Sequence, residues 1–150
     1  MAESKKIANI ALVGAGRWTQ GWHLPALNHN EQANVIAIVD TSPHPKSNLN
    51  PDLEPLSVLK EKYDAMIFSS VADMLQEIGP ELDGVLVATP HATHYEVSRQ
   101  VMGEISRRNA NGDEARPLHI LMEKPMTTDI NHAIELYKLV QNVKGESKFW

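Results

Sequence analysis

The chain has no cysteine, so disulfides, thiolate catalysis and cysteine-bound zinc are excluded and no redox compartment can be read from it. It also lacks a basic excess: 14 Lys and Arg stand against 19 Asp and Glu, for a formal net charge of −5. A general nucleic-acid binder would show a basic face, so nucleic acid is not expected as a partner. An anionic ligand held locally by backbone N–H groups and a helix terminus remains compatible with that balance. No apolar run is long enough to span a bilayer, so no membrane partner is expected. Met1 to Lys6 is short and polar and leads straight into an apolar segment. No signal peptide is visible there, and a cytoplasmic protein is the default expectation. Internal repeats and low-complexity segments are missing too. What remains is the composition of an ordinary soluble globular protein, with 150 residues for about one domain and one substantial core.

The organising stretch runs from Ile7 to Gly21. Ile7–Val13 is apolar at nearly every position, as a strand covered on both faces would be, and it ends abruptly at Gly14-Ala15-Gly16. Glycines there let the backbone turn sharply and let a phosphate approach its N–H groups. A helix is expected from Arg17 to Asn30, interrupted near Gly21–Leu24 because Pro25 lacks the N–H that would bond to the Gly21 carbonyl. Ala33–Asp40 reads as the second strand. Thr41 to Pro55 holds four of the nine prolines and no periodicity, and reads as a long loop. Leu56–Tyr63 is a short helix and Ala65–Phe68 a third strand. Ser70 and Asp73 form a capping box for a helix carrying Val71, Met74, Leu75 and Ile78, which Gly79-Pro80 stops.

Asp83–Ala88 reads as the fourth strand. Val97, Val101 and Ile105 mark one face of a long helix after it, and Asn109–Arg116 is a polar loop. Leu118–Met122 is the fifth strand. A last helix starts near Thr128 or Asp129, with Ile130, Ile134, Tyr137, Val140 and Val143 as its buried stripe and Gly145 as its stop. Ser147–Trp150 has the character of a sixth strand. Strands alternate with helices throughout, which predicts an α/β parallel sheet with helices on both faces.

Three groups of residues point to chemistry. Gly14-x-Gly16-x-x-Thr19 is an imperfect dinucleotide fingerprint in which Thr19 replaces the third glycine, whose use is helix–strand packing. Asp40 closes the next strand 21 residues beyond Thr19, near the spacing of about 20 at which an acid meets the ribose. A carboxylate there repels a 2′-phosphate, which favours NAD over NADP, although His44 and Lys46 in the long loop offer a phosphate two basic groups. The plainer alternative is that the glycines only make a tight turn. The second group, Thr89-Pro90-His91-Ala92-Thr93-His94, lies at the carboxyl end of the fourth strand, where ligands of open parallel sheets sit. Pro90 and His94 suit the edge of a cofactor, and Thr93 suits helix capping. His91 and His94 have neither cysteine nor a nearby third ligand, so no metal is expected. The third group, Glu123-Lys124-Pro125, ends the fifth strand. A lysine in a partly desolvated cleft serves as acid or base or holds a substrate oxygen; a solvated charge pair is the alternative. Trp18 and Trp22, four apart, share one helix face near this cleft, with packing the plainer role for Trp22.

Val13-Gly14-Ala15-Gly16-Arg17-Trp18, Ala88-Thr89-Pro90 with His94, and Glu123-Lys124-Pro125-Met126 together resemble the Gfo/Idh/MocA oxidoreductase family, as does His23-Leu24-Pro25-Ala26-Leu27. The resemblance covers Ile7 to Val143, and its most specific part is the Glu-Lys-Pro step. It implies a Rossmann-type doubly wound sheet over residues 1–150, with NAD, or NADP, as cofactor. It implies that Gly14, Gly16, Arg17 and Trp18 line the dinucleotide phosphates and that Asp40 holds the adenosine ribose. Thr89, Pro90 and His94 would border the cofactor, and Glu123 would approach the nicotinamide ribose. Lys124 would be the catalytic residue near the reacting carbon, joined to Pro125 by a bond that is often cis in the family. Members move a hydride between nicotinamide and a sugar or polyol hydroxyl or its carbonyl.

The family's second, α+β domain binds the small-molecule substrate and often makes homo-oligomer interfaces. It is not within these 150 residues, so little turnover is expected of this chain alone, since orientation accounts for about 7–11 kcal/mol of a barrier. A non-catalytic dinucleotide-binding or interaction module, and a half-enzyme completed by a partner chain, are the other expectations compatible with the sequence.

Overall fold

A computed structural model describes residues 6–112, 117–143 and 147–150. Its five strands are β1 (Ala8–Val13), β2 (Ala33–Val39), β3 (Met66–Phe68), β4 (Gly84–Val87) and β5 (His119–Met122). All pair in parallel, in the order β3-β2-β1-β4-β5. The order reverses at β1, between β2 and β4, so the crevice that such sheets use for ligands opens at the end of β1.

Alternation along the strands divides the core in two. Ala11, Val13, Ala37, Val39, Val85, Val87 and Ile120 point to one face. There they meet α3 (Val71–Ile78) through Val71, Met74 and Ile78, and α4 (His94–Ala110) through Val97, Val101, Met102 and Ile105. Leu12, Val35, Ile38 and Leu86 point to the other face and pack on Leu24 of α1 (Leu24–Asn28) and on Leu56 and Leu59 of α2 (Leu56–Tyr63). Both faces of the strands are therefore apolar, which is why they read as continuous hydrophobic runs.

The interruption expected ahead of Pro25 takes the form of a π-helical segment, Thr19–His23, in which the Leu24 N–H reaches back to the Thr19 carbonyl. One wider turn carries the chain past the missing proline donor. The Ser70 hydroxyl accepts from the Asp73 N–H and caps α3 as its sequence indicates, and Gly79 ends that helix.

The last helix, α5 (Ile130–Gln141), corrects the sequence reading. Asp129 caps it through the N–H groups of Asn131 and His132, but Ile130, Ile134 and Tyr137 lie 72%, 45% and 63% exposed. Val140 and Val143, the other two residues of the expected stripe, do pack on the core, together with Leu139 and the fully buried Leu136. Those four residues have the same 0, 3, 4, 7 spacing as a helical stripe. The first two turns thus offer a second apolar stripe, and periodicity alone does not say which side turns inward, toward α4. It ends at Gln141 with Asn142 as its cap; Gly145, the expected stop, lies outside the described residues. At the end of the chain Phe149 bridges Ile120 in parallel, so this segment pairs beside β5.

Candidate functional site

The ends of parallel strands bring the three motif groups to one edge. The Gly14 N–H donates to the Val39 carbonyl, the Ala88 N–H to the Val13 carbonyl and the Glu123 N–H to the Val87 carbonyl. These bonds continue the ladders one residue past the strands and set the glycine turn, Asp40, Thr89 and Glu123 side by side.

Within the turn, Gly14 has φ +94°, a region that L side chains rarely adopt. A Cβ at Gly14 would lie 2.7 Å from the Ala88 carbonyl oxygen, so this glycine lets β1 and β4 approach. On Gly16, by contrast, a Cβ would meet nothing within 4 Å, so its outer side is open space. Thr19, in place of a third glycine, is buried and donates its hydroxyl to the Gly14 carbonyl. The substitution therefore ties the turn down rather than blocking it. Gln20 adds a second tie. Its amide donates to the Ala15 carbonyl at 2.8 Å and to the Glu54 carbonyl at 3.0 Å, and accepts from the Glu54 N–H at 2.9 Å. The long loop of residues 41–55 is anchored to the turn by that side chain.

Asp40 sits at the tip of β2. One carboxylate oxygen accepts from the Ala15 N–H at 2.8 Å and the other from the Ser42 N–H at 2.9 Å. An ionised carboxylate offers about four lone-pair sites, so each oxygen retains capacity for a further donor. Beside it opens a cavity of about 400 Å³, lined in part by Gly14, Asp40, Thr41, Ser69, Ser70, Thr89, Pro90, Glu96 and Gln100. The buried Thr89 hydroxyl has no hydrogen-bond partner. Hydrogen bonds from Arg99 hold the Glu96 carboxyl below its ordinary value, so Glu96 lines the cavity as half of an ion pair, while Asp40 has no ion-pair partner among the described residues.

Five of these cavity-lining residues were not expected at the site: Thr41, Ser69, Ser70, Glu96 and Gln100. Two signals were available. Ser69 and Ser70 follow β3 directly, and every strand of a parallel sheet ends at the same edge. Thr93, Glu96, Val97 and Gln100 recur at helical spacing along the first turns of α4.

Arg17 and Trp18 flank the turn, with the guanidinium 5.3 Å from the Trp18 ring centroid. Trp18 and Trp22 meet edge to face at 5.4 Å. Trp22 is 58% exposed, so the packing role expected of it is confined to this aromatic contact and does not reach the core. Thr93 donates its hydroxyl to the Pro90 carbonyl and closes the Pro90–Thr93 turn, without capping α4.

His94 departs most from expectation. It has no exposed surface, so it presents nothing to a cofactor directly. Its Nδ1 lies 2.9 Å from the Pro125 carbonyl oxygen and its Nε2 2.9 Å from the Thr89 carbonyl oxygen. At the end of β5, Glu123 pairs with His23 at 2.8 Å, not with Lys124. Lys124 is exposed and the Lys124–Pro125 peptide is cis. Of the residues expected at the site, Gly14, Asp40, Thr89 and Pro90 line the cavity. Gly16, Arg17 and Trp18 lie along the turn, and Glu123, Lys124 and Pro125 stand at the neighbouring strand end.

The residues fit a dinucleotide on structural grounds: an open glycine, a carboxylate with spare acceptor sites, and an orphaned buried hydroxyl around one cavity. Comparisons agree. Residues 8–145 match the Gfo/Idh/MocA family, described as an oxidoreductase family with an NAD-binding Rossmann fold. An uncharacterized oxidoreductase of Synechocystis sp. is 29% identical over 133 residues, which is 88% of this chain and 29% of that protein. The chain thus spans less than a third of the length of that relative. The WlbA dehydrogenase of Chromobacterium violaceum, solved with NADH and UDP-GlcNAcA, is 26% identical with a TM-score of 0.72, over 98% of this chain and 35% of that one. Scyllo-inositol dehydrogenase of Lactobacillus casei shares the fold at 16% identity and a TM-score of 0.70, over 98% and 37% of the two chains. With the motif set at one sheet edge and the family match over nearly all its length, the chain belongs to the Gfo/Idh/MocA oxidoreductase family as an NAD-binding Rossmann domain.

Proposed function

We propose that this chain is the cofactor-binding part of an oxidoreductase that uses NAD in preference to NADP and acts on a hydroxyl or carbonyl of a sugar-like or polyol-like substrate. The observation that carries this reading is the cavity beside Asp40, with the unpartnered Thr89 hydroxyl in its wall and the open Gly16 next to it. When bound, the nicotinamide supplies the hydride acceptor or donor. The protein's part is to hold and orient.

The Gly14 and Ala15 N–H groups are bonded within the protein, so the N–H groups of Gly16 and Arg17 face the pyrophosphate, with the Arg17 and Trp18 side chains beside it. Asp40 accepts from the adenosine ribose hydroxyls, and the Thr89 hydroxyl meets a polar atom further along. Glu123 takes the nicotinamide ribose. Lys124, an exposed cation at the strand end, holds the substrate oxygen and moves a proton at it. The substrate-orienting wall belongs to a second domain, in keeping with a chain that covers 35% of the WlbA dehydrogenase.

The preference for NAD follows from charge. A 2′-phosphate on the adenosine ribose would face the Asp40 carboxylate, while His44 and Lys46 are both exposed on the loop. The test is titration with NADH and NADPH, followed through Trp18 and Trp22 fluorescence. NADH is expected to saturate and NADPH to bind more weakly. Asp40→Ala is expected to cost NADH about tenfold to a hundredfold in affinity. Equal affinities would remove the NAD preference, and absence of saturation at millimolar NADH would remove the reading altogether.

A further inference from the structure

We infer that His23 and His94 are positioning residues which brace the Glu123–Lys124–Pro125 step from its two sides and leave Lys124 as the free cation between them. The inference rests on the reading that this step meets the nicotinamide ribose and the substrate. The last ladder bond of β5 toward β4 is from the Glu123 N–H to the Val87 carbonyl. Beyond it the chain leaves the sheet, and a turn that carries a working lysine needs other anchors.

Two imidazoles supply them. His23 lies in the π-helical segment that follows the glycine turn, and its Nε2 donates to Glu123 Oε1 at 2.8 Å. Their side chains are 21% and 24% exposed, so the contact is largely shielded and holds better than an open surface pair. His94 is the first residue of α4, just after Thr89-Pro90, and its Nδ1 faces the Pro125 carbonyl at 2.9 Å. Each of the other two motif segments thus sends one ring to the third. Lys124, in the middle, has no side-chain hydrogen bond or ion pair among the described residues. Fixing both neighbours of a flexible cation lowers the freedom lost when a ligand arrives.

The contacts dictate where hydrogens sit. A carboxylate only accepts, so His23 must carry a hydrogen on Nε2; His94 faces a carbonyl at each nitrogen, Pro125 at Nδ1 and Thr89 at Nε2, so the brace requires its hydrogen at Nδ1, whereas a ring bonded to Thr89 alone would carry it at Nε2. A histidine that merely fills the core has no such requirement at Nδ1.

The full chain labelled with ¹⁵N-histidine tests this by ring NMR, with resonances assigned through bonds in the wild type so that no variant has to fold. Hydrogens on His94 Nδ1 and His23 Nε2 are expected; a bare nitrogen at either place overturns the brace. A second arm titrates NADH and AMP. His23→Leu is expected to weaken NADH about tenfold while AMP stays within about twofold, because only the nicotinamide half depends on Glu123. In a Glu123→Ala background the His23→Leu loss is expected to vanish. An unchanged NADH affinity, or a loss that persists in full without Glu123, contradicts the inference. Wild-type protein that binds neither NADH nor AMP would sink the cofactor reading alone, and the ring spectra would still decide the brace.

Discussion

At Gly14 the backbone takes φ +94°, and an added Cβ would press on the Ala88 carbonyl oxygen, itself part of β4's exit toward Thr89. Gly14→Ala is therefore expected to cost about 1–3 kcal/mol of folding stability, read as a shift in urea midpoint with unchanged slope. A midpoint equal to wild type would contradict the geometry. Asp40 works at the same scale by other means. Its carboxylate already ties Ala15 and Ser42, so its removal loosens the turn as well as the proposed ribose site. Single residues of this kind were readable from the sequence when their chemistry was local. A glycine before a helix, an acid at a strand tip and a proline after a glycine each state a backbone requirement. His94 was not readable, because its role depends on the Pro125 carbonyl, 31 positions away.

Among the elements, α4 carries the most consequential buried charges. Arg108, 4% exposed, donates to Glu104 and to the carbonyls of Gly79 and Leu82, where α3 turns toward β4. Burial works against ionisation of Glu104, but bonds from Arg107 and Arg108 outweigh it and hold the carboxyl below its ordinary value. A depressed folded value contributes stability that is present above the unfolded one and lost as pH falls through the folded one. Acid unfolding should accordingly begin at lower pH in wild type than in Arg107→Ala, followed by circular dichroism. Arg108→Ala leaves the buried Glu104 carboxylate with Arg107 as its partner and strands the carbonyls of Gly79 and Leu82, for an expected loss of about 3–5 kcal/mol in urea unfolding.

For α5 the two apolar stripes can be told apart directly. Leu136→Ala should cost about 2–5 kcal/mol, and Ile134→Lys less than about 0.5 kcal/mol. The reverse order would restore the stripe that periodicity first suggested. The strands and α2 were legible because strong apolar runs and caps coincide there. The inward face of α5 was only partly so, since both stripes satisfy helical spacing and only packing against α4 chooses between them.

For the molecule as a whole, five parallel strands ending on one edge bring three short motifs, spread over more than a hundred residues, to one edge of the sheet. That convergence was implied once the alternation of strands and helices was read, because parallel strands share their carboxyl edge. The cavity walls after β3 and on α4 were not, since Ser70 reads only as a helix cap and no motif marks Glu96 or Gln100. A ligand that binds only the folded chain must stabilise it. NADH at about a hundred times its Kd adds about 2.7 kcal/mol, which corresponds to roughly 5–10 °C in Tm for a chain of this size.

The most direct measurement is amide NMR of the ¹⁵N-labelled chain during NADH titration. Saturable shifts are predicted at Ala15, Gly16, Asp40, Ser70 and Thr89, with Lys60 and Asp64 at the opposite end of the sheet unmoved. Absence of saturable shifts at that edge, or shifts centred elsewhere, would contradict the cofactor site.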